Sequence, residues 1–131
     1  MILGLGIDVC SIERMEAIID RWGDRFVHRI LGPAEREHYA RRRDKATLLA
    51  GRFATKEAAA KAMAGARGVG WHHLEVRAAT KRPPELILHG PARELANSVG
   101  VEGVQLSITP DAGVAAAVVI MEGPKRKASW P

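Results

Sequence analysis

Arg52-Phe53-Ala54-Thr55-Lys56-Glu57-Ala58-Ala59-Ala60-Lys61-Ala62 is the stretch around which the rest of the chain is read. Alanine, lysine and glutamate are strong helix formers. The run therefore predicts a helix from about 45 to about 64, stopped by Gly65 and the Gly68/Gly70 loop. On that helix Glu57 shares a face with Phe53, Ala60, Lys61 and Ala64. Ala54, Ala58, Ala59, Ala60, Ala62 and Ala64 leave little side-chain bulk, so another backbone or a bulky ligand can approach closely. A second stretch, Ile2-Leu3-Gly4-Leu5-Gly6-Ile7, reads as a buried strand that ends in Asp8. Both stretches set a carboxylate where packing alone favours an apolar side chain. A lone buried carboxylate is costly and is normally paired or bound to metal. Two of them, with Lys61 one turn past Glu57, suggest a divalent-cation site that handles phosphate. The residues by themselves leave plainer readings open. Asp8 can be a turn or capping residue, and Glu57 with Lys61 a solvated i, i+4 pair contributing only ~0.2–0.5 kcal/mol.

Outward from these two segments, the pattern predicts a strand over 2–9 and a helix over 12–22. A short helix begins at Pro33, with Glu35 and Glu37 at its positive end. Residues 73–80 and 84–89 alternate as strands around Lys81-Arg82-Pro83-Pro84. A helix over 91–99 closes at Gly100, and strands over 103–109 and 114–122 are linked through Pro110, Asp111 and Gly113. Helices mixed with antiparallel hairpins predict an α+β fold, an antiparallel sheet packed with a long central helix. Residues 1–123 read as one domain. The tail 124–131 is basic and lacks periodicity, and is expected to fray.

Composition narrows the function classes. A chain of 131 residues builds one core. There is no apolar run of about 18 residues and no cleavable leader pattern, so a soluble cytoplasmic protein without a membrane span is expected. The single cysteine, Cys10, excludes an internal disulfide and reads as a small apolar filler. Twenty basic against 15 acidic residues give +5, a balance that attracts nucleic acid, acidic membranes or an acidic protein. Against nucleic acid, the chain shows no interleaving of basic and aromatic residues. Arg14, Ile18, Arg21 and Arg25 fall within about 60° of arc on the helix after Ser11. Met15, Ile19, Trp22 and Phe26 form the adjacent apolar stripe. That basic stripe is either a plainly solvated face or a docking surface. Gly4-Leu5-Gly6 lacks the third glycine of a dinucleotide fingerprint, and no Walker-type loop is present. His72 and His73, at adjacent strand positions, point to opposite faces and share no metal. Trp22, Trp71 and Trp130 read as core, hinge and tail residues.

Taken together, Gly4-Leu5-Gly6-Ile7-Asp8-Val9 with Arg14 six residues on, and Leu49-Ala50-Gly51 running into Arg52–Ala62, resemble the holo-acyl-carrier-protein synthase family. This is the small, single-domain branch of the 4′-phosphopantetheinyl transferases. The second segment is similar to its Arg-Phe-Ala-x-Lys-Glu-Ala-x-x-Lys-Ala signature. Leu31-Gly32-Pro33-Ala34-Glu35-Arg36-Glu37 resembles the start of the family's second helix, and Leu106-Ser107-Ile108-Thr109 its late strand.

The resemblance implies transfer of 4′-phosphopantetheine from coenzyme A to a serine of apo-acyl carrier protein, with 3′,5′-ADP leaving. It implies magnesium, or manganese, on Asp8 and Glu57. Asp8, Glu57 and Lys61 would be catalytic, with the proton accepted by Glu57 directly or through a water. Coenzyme A would meet Arg52, Lys61, Gly65, Ser107 and Thr109. An acidic acyl carrier protein would meet Arg14, Ile18, Arg21 and Arg25, and active sites would form between the subunits of a homotrimer. An exposed apolar strand surface such as Val114 to Met121 would give reason to associate. Two departures stand against the family pattern. Pro110 replaces a frequent histidine, and Ala64-Gly65-Ala66-Arg67-Gly68 replaces its Gly-Thr-Gly. Pro110 leaves open a relative that binds coenzyme A or carrier protein without turnover. A small basic nucleic-acid-binding domain is the reading from another class.

Overall fold

The computed structural model describes residues 1–131. Strand β1 (Ile2–Ser11) is followed by helices α1 (Ile12–Trp22), α2 (Asp24–Ile30), α3 (Pro33–Ala40) and α4 (Lys45–Ala62). A 3-10 turn, Trp71–His73, leads into β2 (Leu74–Arg77) and β3 (Glu85–Leu88). Helix α5 (Gly90–Val99), β4 (Gly103–Asp111) and β5 (Val114–Glu122) complete the chain. The main sheet has the order β1-β5-β4, antiparallel throughout, and β2 and β3 pair as a separate hairpin. Helix α4 packs along β1 and β5. The α+β class and the long central helix are as the sequence implies.

Glycine sets the approach of strand to helix. A Cβ on Gly6 would lie 1.8 Å from the Ala58 carbonyl oxygen, and one on Gly4 would lie 2.2 Å from that of Ala62. Only a glycine strand against an alanine-rich helix packs this closely. The inward face of β1 therefore carries Gly4, Gly6, Asp8 and Cys10 by its two-residue period. Leu5, Ile7 and Val9 face the other way and stay exposed. Cys10 is buried, and burial raises its thiol.

A second device ties α4 to the rest. The Lys56 ammonium has no exposure and donates to the Ile30 carbonyl (2.6 Å), the Glu35 carboxylate (2.8 Å) and the Trp71 carbonyl (3.1 Å). Glu35 in turn accepts from the Gly32 and Val76 amides, both at 3.1 Å. One buried pair thus joins α2, α3, the 3-10 turn and β2 to α4. Phe53 stacks on Trp71 at 5.4 Å over the same junction.

Several expectations are corrected. The helix over 12–22 forms as expected, but Arg25 and Phe26, grouped with its stripes, lie beyond its end. It stops at Gly23 (φ 55°), and α2 starts afresh at Asp24. Arg25 consequently lies on a different helix from Arg14, Ile18 and Arg21. Trp22, read as core, is 49% exposed. His72 and His73 sit in the 3-10 turn rather than on a strand. His72 bonds the His28 carbonyl, and His73 Nδ1 accepts from the Gly70 amide. Residues 114–121 form the central strand, half of it buried on α4. The apolar surface left open is the outer face shared by Leu5, Ile7 and Val9 of β1 with Ile120, Val118 and Ala116 of β5. In the tail, the Trp130 indole donates to the Leu3 carbonyl at 2.8 Å, and the Lys127 amide to the Val99 carbonyl at 2.7 Å.

Candidate functional site

Asp8 follows Gly4 and Gly6 on the face of β1 that lies against α4, and Lys61 reaches across to it. The Lys61 ammonium donates to Asp8 Oδ1 and to the Ile7 carbonyl, both at 3.0 Å. The alternative i, i+4 pair with Glu57 does not form. Glu57 stands one turn, about 5.4 Å, before Lys61 on the same face. It is half-buried and carries no hydrogen bond or ion pair. Asp8 and Lys61 are therefore brought together between β1 and α4, and Glu57 shares the Lys61 face of that helix. One carboxylate is held by the lysine and the other is free.

No cluster of three or more His, Cys, Asp and Glu side chains forms anywhere in the chain. A metal at this site would have at most two protein carboxylates. That donor set suits a hard cation such as magnesium, which fills its remaining positions with phosphate oxygens and water. It falls short of the three or four protein ligands, mostly histidine or cysteine, that usually hold zinc.

Arg52 lies at the other half of α4 and opens onto a cleft of about 490 Å³. His38 of α3, Arg42 and Asp44 of the following loop, Thr80, and Pro110 of β4 also line it. Arg52 is 7% exposed and has no hydrogen-bond partner. Burial pulls its pKa down from the ordinary arginine value; Glu35 opposes the shift and the Arg42 charge adds to it. Arg42 is held bidentately by Asp44 at 2.7 and 2.6 Å. With no protein partner and its nitrogens still open to the cleft, this guanidinium can receive an anion. The sequence singled out Arg52. His38 and Arg42 were missed, because the cleft walls come from segments far apart in the chain and no local pattern marks them.

Gly65 follows α4 at φ 107°, with nothing within 4 Å of where a Cβ would stand. Its neighbours Ala64 (φ 53°) and Ala66 (φ 52°) are also left-handed, an unfavourable geometry for alanine. Ser107 and Thr109 are exposed on the outer sheet face, in register with Val118 and Ala116. The sheet separates them from Arg52 and Lys61, so one chain does not bring these four residues together. Arg14 and Arg21 are exposed on α1 and Ile18 is half-buried between them. Arg21 stacks over the Trp22 ring at 5.0 Å. Arg25 and Arg29 of α2 frame a shallow hollow floored by Trp22 and Phe26. Gly23, which exposes Trp22 by breaking the helix, was the available signal for this surface.

Residues 4–119 match the profile of the 4′-phosphopantetheinyl transferase superfamily. The chain belongs to that superfamily. A holo-acyl-carrier-protein synthase of Solidesulfovibrio magneticus is 48% identical over 125 residues, covering 94% of this chain and 100% of that relative. Among solved structures, the holo-acyl-carrier-protein synthase of Neisseria meningitidis superposes with a TM-score of 0.82 at 28% identity. It covers 93% of this chain and 99% of that one. The Helicobacter pylori enzyme, solved in complex with coenzyme A, gives a TM-score of 0.78 at 32% identity, covering 90% and 99%.

Proposed function

We propose that this superfamily member transfers the 4′-phosphopantetheine group of coenzyme A to a serine of apo-acyl carrier protein. The products are holo-acyl carrier protein and 3′,5′-ADP. The observation that carries the reading is the Lys61–Asp8 contact, with the unpartnered Glu57 one helical turn before Lys61, in a chain aligned along its length with holo-acyl-carrier-protein synthases. The serine oxygen attacks the pantetheine-side phosphorus. The bond from that phosphorus to the bridging oxygen breaks, and its electron pair leaves with 3′,5′-ADP. Glu57, which has no partner in the protein, accepts the serine proton. Lys61 has three N–H donors, and two are spent on Asp8 and Ile7. The third serves the leaving pyrophosphate oxygen. Asp8 and Glu57 would hold magnesium, or manganese, which when bound neutralises charge on the pyrophosphate.

The Arg52 cleft has the volume of a small-ligand site and would take the nucleotide half of coenzyme A. The open space around Gly65 leaves the pantetheine arm a path along the backbone. Arg14, Ile18, Arg21 and Arg25 would dock an acidic carrier protein, with Trp22 extending the apolar floor. The same reading takes the chain to be a cytoplasmic homotrimer. What supports association is the outer sheet face, where Leu5 is 60%, Ile7 59% and Val9 56% exposed. Ser107 and Thr109 border that face, so they would meet coenzyme A in a neighbouring subunit's site.

The test is the intact mass of apo-acyl carrier protein after incubation with this chain, coenzyme A and magnesium. A gain of one phosphopantetheine, lost with chelator and in Asp8→Ala, is expected. No gain with folded protein and several carriers overturns the reading. Coenzyme A binding without turnover, as Pro110 would favour, then takes its place.

A further inference from the structure

His38 is the one group in the Arg52 cleft whose ordinary pKa lies near neutrality, and Pro110 gives the facing wall nothing that titrates there. Arg42 Nη1 lies 3.4 Å from His38 Nε2. A guanidinium only donates, so as a hydrogen bond this contact uses the Nε2 lone pair of a neutral ring protonated at Nδ1. The charges facing His38 are Arg41, Arg42 and Asp44 beyond its own helix and Arg52 on α4. The walls from residues 78–84, β4 and β5 add Ala78, Ala79, Thr80, Pro84, Ile108 and Ala115, none of them charged. Burial, then Arg52, Arg42 and Arg41, hold the imidazole below its ordinary pKa against the opposing pull of Asp44. The free cleft is therefore cationic, with His38 at its edge and the Arg52 guanidinium, which has no protein partner, within it.

A phosphate group entering such a cleft reverses the balance. Its charge offsets Arg52 and Arg42, and its oxygens accept from any N–H nearby. We propose that His38 is a proton-coupled specificity residue, which takes up one proton as a phosphate of the nucleotide half of coenzyme A seats against Arg52. His38 Nε2 exchanges its acceptor contact with Arg42 for a donor contact to phosphate. The proton comes from solvent, and no covalent bond changes. Binding is then favoured at lower pH and weakens as pH rises through the imidazole pKa of the complex, by at most about tenfold per pH unit. The inference rests on the coenzyme A reading of the cleft.

Calorimetry on the full chain with 3′,5′-ADP, near neutral pH in two buffers of different ionisation enthalpy, tests it. The binding heat is expected to vary with the buffer in the sense of proton uptake. In His38→Gln that dependence disappears and affinity drops, while adenosine shows no uptake with either protein. A buffer-independent heat in the unmodified chain overturns the proposal, and so does uptake that survives in His38→Gln and His38→Asn. The same preparation is assayed by carrier-protein mass. Transfer without proton uptake sinks the His38 role alone, whereas no binding of 3′,5′-ADP and no transfer sink both readings.

Discussion

Gly6→Ala puts the argument about β1 under the most direct strain. The new Cβ would stand 1.8 Å from the Ala58 carbonyl oxygen and 2.9 Å from the Ala62 nitrogen, both rigid helix backbone. An ordinary carbon–oxygen contact is about 3.3–3.6 Å, so β1 must retreat from α4 by roughly 1.5 Å. Alanine's smaller unfolded-state entropy favours folding by only ~0.4–1 kcal/mol. The overpacking costs ~1–3 kcal/mol or more, and a net loss near 2 kcal/mol lowers Tm by roughly 5–10 °C. Asp8 lies on the same face two residues on and moves with the strand. A 1.5 Å shift stretches the 3.0 Å contact to Lys61 beyond hydrogen-bond length. Misplacement of about 1 Å can reduce turnover about 10²-fold. Urea unfolding and initial rates of carrier-protein modification, taken where the variant is fully folded, measure both effects. Gly70→Ala is the control, since its Cβ meets only the His73 ring, Nδ1 at 3.5 Å and Cε1 at 3.6 Å, and its φ is −90°. A Gly6→Ala protein within about 0.5 kcal/mol of the parent, with the parent's rate, would refute the claim that glycine sets this approach.

Leu5→Asp places a charge on an already exposed position, 60% open in the single chain. Light scattering is expected to show monomer where the parent associates, with activity falling in step; a parent that is itself monomeric refutes the association. Trp130→Phe removes the indole bond to the Leu3 carbonyl, which sits at the register shift between Ile2 and Gly4. A loss of ~0.5–1.5 kcal/mol in urea unfolding is expected. Burial pushes the Glu75 carboxyl up, but hydrogen bonds from His89 and Arg77 outweigh it and hold the group below its ordinary value. That contribution is present above the carboxylate range and lost as pH falls through it. Glu75→Gln should therefore cost under ~1 kcal/mol at neutral pH, with the difference closing as pH falls through the lowered carboxyl pKa.

What the sequence disclosed was local, and what it hid was assembled from distant parts. Glu57 and Lys61 are one helical turn apart, so their common face follows from spacing alone. Asp8 was found through its position after an apolar run, although β1 continues to Ser11 and it is the two-residue period that turns Asp8 towards α4. Gly23 went unread because the apolar stripe Met15, Ile19, Trp22 and Phe26 keeps its spacing across the break. Ser107 and Thr109 alternate with the buried Leu106 and the half-buried Ile108, and only the strand register shows which face they occupy. His38 and Arg42 become neighbours of Arg52 through the packing of α3 on α4, which no short motif encodes.

Two lysines five residues apart in the same motif behave in opposite ways, and the helix explains why. At 100° per residue they diverge by about 140° around α4. Lys61 looks to β1 with a 55% exposed side chain, and Lys56 looks into the core with none exposed. Because Lys56 is clamped by Ile30, Glu35 and Trp71, it fixes the rotation of α4 about its axis. That rotation in turn aims Lys61 at Asp8, with Glu57 one turn away on the same face. Lys56→Met keeps the side chain's length but leaves the Glu35 carboxylate buried with only the Gly32 and Val76 amides. The uncompensated charge should cost ~3–5 kcal/mol. Lys56→Met with Glu35→Gln removes both charges and should recover part of that loss, giving a double-mutant coupling of ~1–3 kcal/mol. If the buried pair acts only as a staple, the folded double variant modifies carrier protein at the parent's rate. If it sets the rotation of α4, stability recovers further than turnover does. A loss in the double variant equal to the sum of the losses in Lys56→Met and Glu35→Gln alone would refute a coupled pair altogether.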